Sequence, residues 1–268
     1  MFPDFGTLLG RLLDHRRVGI GRLSRDAGVS EDDLRSVVDG VRPDPSLLRA
    51  LAPALDWHAA DLFVMAGRPV PDALAPLDAS AGQFLGDLVT DAVCLPADQR
   101  SRLRELAQDL PQEPRRAVYA AWKVYDPSEG GFGAMVANMV FANRNFGRTS
   151  AAAKALAAGS NGRMYVSPST IFRIGSGRVE LTADRLAGLA TLLDVPAGDL
   201  AAVTGMPGGK PPEDLAAADV AALLWEVRRL SAAQARQVAE RAEAMRRLIP
   251  DDAVDRRFYR HRSYGSAC

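Results

Sequence analysis

Residues 166–178 read VSPSTIFRIGSGR, and this stretch decides how the rest of the chain is interpreted. Ser167 is a favourable N-cap residue for a helix. Pro168 then falls at the first helical position, where its missing N–H costs nothing. Gly175 and Gly177 are typical of a helix end. The stretch therefore predicts one short, well-capped helix.

The two faces of this helix differ in chemistry. Ile171 and Ile174 are three residues apart and share an inner face, whereas Ser169, Thr170 and Arg173 share the outer one. A capped helix with an apolar back and a Ser/Thr/Arg front suits the major groove of DNA. We therefore predict a recognition helix of a helix-turn-helix, in which Ser169 and Thr170 contact base edges or phosphate and Arg173 reads guanine. The alternative is a surface helix of a helical bundle.

Charge is distributed unevenly along the chain. Residues 1–130 carry 15 Lys/Arg and 20 Asp/Glu, whereas residues 131–268 carry 18 and 13. Between residues 131 and 180 six basic residues stand against one acidic residue. This local excess has the sign that DNA binding requires, and chance clustering in a neutral protein is the alternative. The arginines expected to neutralise phosphates are Arg148, Arg163 and Arg178.

Composition favours an all-α protein of about two domains. The chain has 268 residues, 47% of them hydrophobic, and is poor in aromatic residues. No apolar run approaches the roughly 18 residues of a membrane span, and no secretion signal is recognisable. Cys94 and Cys268 form no metal or redox spacing. We expect a cytoplasmic protein without metal or cofactor.

The first 66 residues predict five short helices. Their expected bounds are 5–16, 20–27, a third helix capped by Ser30 and running to 39, 45–55 and 59–66. LSRDAGVSEDDLRSVVDG (residues 23–40) and LDWHAADLFVMAG (residues 55–67) resemble the helix-turn-helix and the closing helix of the Xre / lambda-repressor-like family. The resemblance implies a five-helix DNA-binding domain. It also implies dimers that match half-sites about one DNA turn, ~34 Å, apart.

The pattern then recurs later in the chain. LDWHAADLFVMAG at 55–67 corresponds to LDVPAGDLAAVTG at 193–205, and Val29-Ser30…Gly40 corresponds to Val166-Ser167…Gly177. We therefore expect two lambda-repressor-like five-helix domains, each followed by a helical extension. The expected segments are 1–67 for the first domain, 68–131 for its extension and linker, 132–206 for the second domain, and 207–268 for the second extension and a basic tail.

Each extension contains amphipathic stretches. Helices are predicted over residues 81–92, from Leu95-Pro96 onward, and over residues 115–125. The matching stretches LPADQRSRL (95–103) and LSAAQARQV (230–238) indicate a second extension of the same kind. The apolar stripes are Leu85, Leu88 and Val89 in one extension and Leu223, Leu224, Val227 and Leu230 in the other. Two arrangements stay open: the extensions pair inside one chain, or they form a homodimer.

The two predicted recognition helices carry opposite charge. Asp32, Asp33 and Ser36 stand where the second copy has Ser169, Thr170 and Arg173. Carboxylates suit a helix N-terminus but are repelled by DNA phosphates. We therefore expect the first copy to be a structural or pairing partner rather than a base reader. Its candidates for backbone contact are Arg22, Arg25, Arg35 and Arg42.

Two segments of the second copy have no counterpart in the first. The loop before its recognition helix is longer, and one interpretation is a small wing whose Asn161 and Arg163 contact phosphate. The tail at residues 256–264 interleaves arginines with aromatics. It predicts either a basic arm or a last helix that packs Phe258 and Tyr259, and the second interpretation is favoured.

No catalytic pattern is present, and we expect no enzyme. His15, His58 and His261 are far apart, and no HExxH or Walker-type motif occurs. The sequence predicts a transcriptional regulator that binds double-stranded DNA mainly through its second unit. The alternative is a protein-interaction or effector-sensing module that keeps the fold without DNA readout.

Overall fold

The chain is all-helical in the part that the structure describes. The structure is a computed structural model that describes residues 2–118, 120–121, 123–146, 151–159, 166–209 and 215–249. Its α-helices are α1 (Phe5–Arg16), α2 (Ile20–Ala27), α3 (Glu31–Val38), α4 (Pro45–Ala54), α5 (Ala59–Met65), α6 (Leu85–Ala92), α7 (Ala97–Asp109), α8 (Pro127–Asn138), α9 (Ala151–Gly159), α10 (Pro168–Gly175), α11 (Ala183–Leu192), α12 (Ala197–Thr204), α13 (Leu215–Val227) and α14 (Ala232–Arg247). A 3₁₀ helix (Ala79–Phe84) precedes α6, and a π-helix (Met139–Asn143) continues α8. None of these helices combines the length and apolar character that crossing a bilayer requires.

The helices predicted within the first 66 residues are confirmed to within about one residue at each end. Side-chain N-caps explain where two of these helices, α3 and α4, begin. Ser30 Oγ accepts hydrogen bonds from the backbone N–H of Asp32 at 3.2 Å and of Asp33 at 3.4 Å. Asp44 accepts from the backbone N–H groups that open α4. Each cap satisfies donors that the first helical turn leaves free.

Helices α8 to α12 follow one another as α1 to α5 do, and left-handed residues fall at corresponding places in the two sets. Such conformations are uncommon for residues other than glycine. The corresponding residues are Arg17 (φ 55°) and Asn145 (58°), Gly40 (99°) and Gly177 (68°), Asp56 (50°) and Asp194 (54°), and Gly67 (58°) and Gly205 (67°). Among the described residues, Gly28 (φ 65°) and Gly131 (φ 57°) are also left-handed but have no counterpart in the other set.

The helix that follows the linker ends at Asn143 as predicted but differs from the prediction at its start and in its interior. The apolar pattern of the second predicted domain indicates a first helix over residues 132–143, whereas α8 begins at Pro127, where Asp126 caps it. Gly131, with φ 57° and ψ −144°, interrupts the helical backbone inside α8. The π-helix Met139–Asn143 then adds a wide turn at the end. Hydrophobic periodicity alone does not reveal either irregularity.

The two extensions pair inside the chain. Helix α6 packs on α14, and α7 packs on α13, so the apolar stripes of both extensions are buried together. Ion pairs border each contact: Arg100 Nε lies 2.8 Å from Asp219 Oδ2, and Arg246 Nε lies 3.5 Å from Asp91 Oδ1. Of the two arrangements that the sequence left open, the structure contains the intramolecular one.

The helix predicted over residues 115–125 is wrong. The described residues of this segment are irregular, and tertiary hydrogen bonds hold both ends. The Arg115 guanidinium donates to the carbonyl oxygens of Asp72 (2.7 Å), Ala75 (3.1 Å), Pro76 (2.8 Å) and Leu77 (3.2 Å). Tyr125 donates its N–H to Asn138 Oδ1 and accepts from Asn138 Nδ2. These contacts outweigh the helix propensity of the segment.

Candidate nucleic-acid interface

Helix α10 forms where the sequence predicted it. Ser167 Oγ accepts the backbone N–H of Thr170 at 3.3 Å, and it also lies 2.6 Å from Ser169 Oγ and 3.0 Å from Thr170 Oγ1. The inner face is confirmed, since Ile171 and Ile174 are almost fully buried. The cap thus engages two of the hydroxyl groups predicted to contact DNA, and it holds them side by side at the helix start.

The outer face of α10 carries an exposed positive charge. Ser169 and Arg173 are exposed, whereas Thr170 is half-buried. Arg173 is the one charged residue of this helix. Arg178, which lies just after the end of α10, is also exposed. Within the described residues, neither guanidinium group has a side-chain hydrogen bond or an ion pair. Both groups are therefore available to an anionic partner.

The back of α10 is packed closely by α8 and by the segment that precedes it. A Cβ atom at Gly130 or Gly133 would overlap a carbonyl oxygen of α10, so α8 approaches the helix backbone directly. The ring of Tyr125 lies against Gly175, and the rings of Phe141 and Phe172 are 4.9 Å apart. This packing holds the outer face of α10 in a fixed direction.

The other residues predicted around α10 cannot be placed. Arg148, Asn161 and Arg163 lie outside the described residues, as does the basic tail at 256–264. The predicted wing and the predicted arm therefore stay predictions.

Helix α3 presents a different surface. Its first turn consists of Glu31, Asp32 and Asp33, and the last two are exposed. Arg35 forms ion pairs with Glu31 and, at 3.1 Å, with Asp32. The positive charge of Arg35, which the sequence named as a candidate for contact with the DNA backbone, is thus neutralised by carboxylates of the same helix.

The remaining backbone candidates of the first unit are dispersed. Arg22 Nε lies 3.5 Å from Asp26 Oδ2, and Arg42 donates to the Gly67 carbonyl oxygen at 2.8 Å. Arg25 is exposed on α2. Partners within the chain thus engage two of these three guanidinium groups.

Sequence reasoning missed a buried polar cluster where α5, α13 and the end of the π-helix meet. Arg144 and Asp61 form a fully buried ion pair, and Arg144 also lies over the ring of Trp225. His58 stacks on that ring with 3.5 Å between centroids. Burial, and next the charge of Arg144, lower the pKa of His58 to about 4. Asp61 stands in LDWHAADLFVMAG where Asp199 stands in LDVPAGDLAAVTG, and this recurrence of an aspartate, rather than any local feature, is the signal that could have drawn attention to Asp61.

Comparisons with known proteins add no identification, because no family model, no curated protein and no solved structure matches the chain. Among the described residues, no group of three or more His, Cys, Asp or Glu side chains could hold a metal ion.

Proposed function

We propose that the protein is a cytoplasmic, DNA-binding transcriptional regulator with two tandem lambda-repressor-like helix-turn-helix units, in which the second unit reads the base sequence. One observation carries the proposal. Helix α10 presents Arg173 exposed and unpaired among the described residues, on a helix without another charge, whereas α3 neutralises its own Arg35.

The assignment of two units draws on corresponding features of the two sets of helices. The third helix of each set is capped by a serine and is buried on its inner face. The left-handed residues also correspond. In this proposal the first unit covers residues 1–67 and the second covers residues 132–206, and each is followed by its extension.

The chemistry of recognition follows from the groups on α10. A guanidinium group donates two parallel hydrogen bonds to O6 and N7 of guanine, which is a frequent base-specific contact in the major groove. Arg173 would make this contact, and Arg178 would neutralise a neighbouring phosphate. Ser169 would donate to a base edge or a phosphate. The rigid packing behind α10 would keep these groups in register with the groove.

A salt titration tests the proposal. Binding of the whole protein to fluorescein-labelled genomic duplex fragments is measured by anisotropy as the salt concentration rises. With about three phosphate contacts, the logarithm of the binding constant should fall against the logarithm of salt with a slope of about −3. Absence of duplex binding at the lowest salt concentration would refute DNA readout and would favour the interaction or effector-sensing module.

A further inference from the structure

A cavity of about 590 Å³ lies where the segment after α7 meets the 3₁₀ helix and the start of α14. Its described walls are mostly apolar and include Ala79, Pro114, Val118 and Ala232. Cavities of roughly 300–1,000 Å³ with apolar walls and a few polar groups are the usual form of a binding site. This cavity, named here the Val118 groove, belongs to the two extensions rather than to the helices α1–α5 or α8–α12.

Hydrogen bonds between the two extensions hold the walls of the Val118 groove in place. Glu113 Oε1 accepts a hydrogen bond from Ser231 Oγ at 3.1 Å. Asp78 Oδ2 accepts the backbone N–H of Ala232, the first residue of α14, at 2.9 Å. Arg115 fixes the neighbouring wall through its guanidinium group, which donates to four backbone carbonyl oxygens. The groove is therefore formed before a ligand enters it.

The surface of the Val118 groove combines exposed apolar groups with negative charge. Val118 is 76% exposed although it is a large aliphatic side chain. Neutral donors engage the carboxylate of Asp78, which has no ion pair among the described residues. Arg116 lies 3.8 Å from Glu113 Oε2, but its side chain is 87% exposed, so it offsets that carboxylate only weakly. A partner that fits the groove therefore carries both apolar and cationic groups.

The C-terminal segment of the chain has this combination of groups. Residues 256–262 read RRFYRHR, in which four arginines surround the adjacent aromatic residues Phe258 and Tyr259. Aromatic side chains contribute a large apolar area to a contact, and guanidinium groups pair with carboxylates through two parallel hydrogen bonds. The segment therefore matches the groove in apolar character and in charge.

The chain is also long enough to bring this segment to the groove. Helix α14 has 16 residues and spans ~24 Å, and its first residues line the groove. Pro250 cannot continue the helix, because it lacks an N–H and its ring clashes with the preceding turn. The nine residues from Ile249 to Phe258 can span up to ~30 Å, so the chain can run back along α14. A tethered segment also binds at a local concentration that is roughly millimolar.

We propose that the Val118 groove binds the C-terminal segment 256–262 of the same chain. Phe258 and Tyr259 lie on its apolar walls, and the arginines lie beside Asp78 and Glu113. Docking of this kind pairs the arginines with carboxylates of the chain itself and withholds them from other anionic partners. The proposal goes beyond DNA readout and does not depend on it, because no residue of α3 or α10 takes part.

Thiol labelling of the full chain tests the proposal. In a background of Cys94→Ser and Cys268→Ser, Val118→Cys places one thiol in the groove, and its rate of reaction with a maleimide is measured. With the natural tail, this thiol should react at least about fivefold more slowly than with Phe258→Ala and Tyr259→Ala, because a tethered tail covers it at high local concentration. Circular dichroism verifies that each variant is folded.

Two further variants supply the controls. Val124, on the same segment between α7 and α8, is 69% exposed and is not among the described residues that line the groove. Val124→Cys should therefore react at the same rate with either tail. Glu113→Gln keeps an oxygen for the hydroxyl group of Ser231 but removes the negative charge. It should speed the reaction of Val118→Cys in the chain with the natural tail.

Three results would overturn the proposal. One is that Val118→Cys reacts equally fast with either tail. A second is that the natural tail protects Val124→Cys as strongly, which would indicate loose covering of the whole segment. The third is protection that grows with protein concentration, since the tail of a second copy would then occupy the groove. None of these measurements uses DNA, so each outcome is distinct from a failure of the proposed function.

Discussion

Gly133 on α8 lies against the carbonyl oxygen of Ile174 on α10, so closely that a Cβ atom at Gly133 would overlap that oxygen. Gly6 on α1 lies in the same way against the carbonyl oxygen of Val37 on α3. In both sets of helices a glycine thus sets how closely the first helix approaches the third. A side chain at either position would displace the third helix from its support.

Replacing Gly133 with alanine should therefore destabilise the protein. Overpacking of this kind costs roughly 1–3 kcal/mol of unfolding free energy. Gly10→Ala on α1 is the matched control, since no heavy atom lies within 4 Å of a Cβ atom there. That change should stabilise by about 0.5–1 kcal/mol because alanine favours a helix over glycine. Urea unfolding followed by circular dichroism measures both, and equal effects would contradict the close approach.

Arg173→Ala should weaken binding to a specific duplex by about 1–3 kcal/mol and relax the base preference at one position, because it removes a base contact rather than general charge. Arg236→Ala is the control with the same change in net charge. Arg236 is exposed on α14, where it pairs with Glu240 at 3.8 Å. Anisotropy titrations at one salt concentration should show little change for this control. Full-strength binding by Arg173→Ala would refute the assignment of α10.

Stability should fall as the pH is lowered from 7 to 5, and His58 should account for part of the loss. The pKa of His58 falls from 6.5 to about 4 in the folded protein, so the unfolded chain takes up a proton at a higher pH than the folded chain does. The stabilisation is present above pH 6.5 and is lost as the pH falls towards 4. Linkage gives a loss of about 2 kcal/mol between roughly pH 7 and 5.

His58→Phe tests this origin, because phenylalanine can keep a ring against Trp225 but does not titrate. The free energy of unfolding of this variant should decline less between roughly pH 7 and 5, by about the same 2 kcal/mol. Urea unfolding series at several pH values provide the measurement. If the free energy of unfolding changes equally with pH in the unchanged protein and in His58→Phe, His58 is not desolvated in the folded protein.

The paired extensions should make a large contribution to stability. Leu224 on α13 is fully buried, and Leu224→Ala should cost roughly 2–5 kcal/mol of unfolding free energy. Leu248, just after α14, is 84% exposed, and Leu248→Ala should change stability by less than about 0.5 kcal/mol. Thermal and urea unfolding measure both variants. Similar losses for the two leucines would argue against a buried contact between the extensions.

The sequence predicted most helix limits because caps and apolar periodicity are local signals. Ser30, Asp44 and Ser167 lie directly before the helices that they open, and Ile171 and Ile174 reveal the buried face of α10. Within the described residues, α10 forms where the sequence predicted it, with Ser169 and Arg173 exposed, whereas Thr170 is half-buried because its burial depends on the surrounding packing.

Other features depend on contacts between distant residues. The helix predicted around Arg115 does not form, because four carbonyl oxygens of the segment 72–77 accept hydrogen bonds from its guanidinium group. The ion pair of Arg144 with Asp61 joins residues 83 positions apart, and neither residue is unusual in its local sequence. Such features follow from packing of the units, which periodicity does not specify.

The pairing of α6 with α14 and of α7 with α13 occurs within one covalent chain. Dilution therefore cannot separate the two halves, unlike a homodimer, whose stability depends on protein concentration. A mutation in a homodimer also appears in both subunits at once, whereas here each half changes alone. In the proposed tandem arrangement, this independence would allow α3 to carry Asp32 and Asp33 while α10 carries Ser169 and Thr170, in one molecule with two different faces.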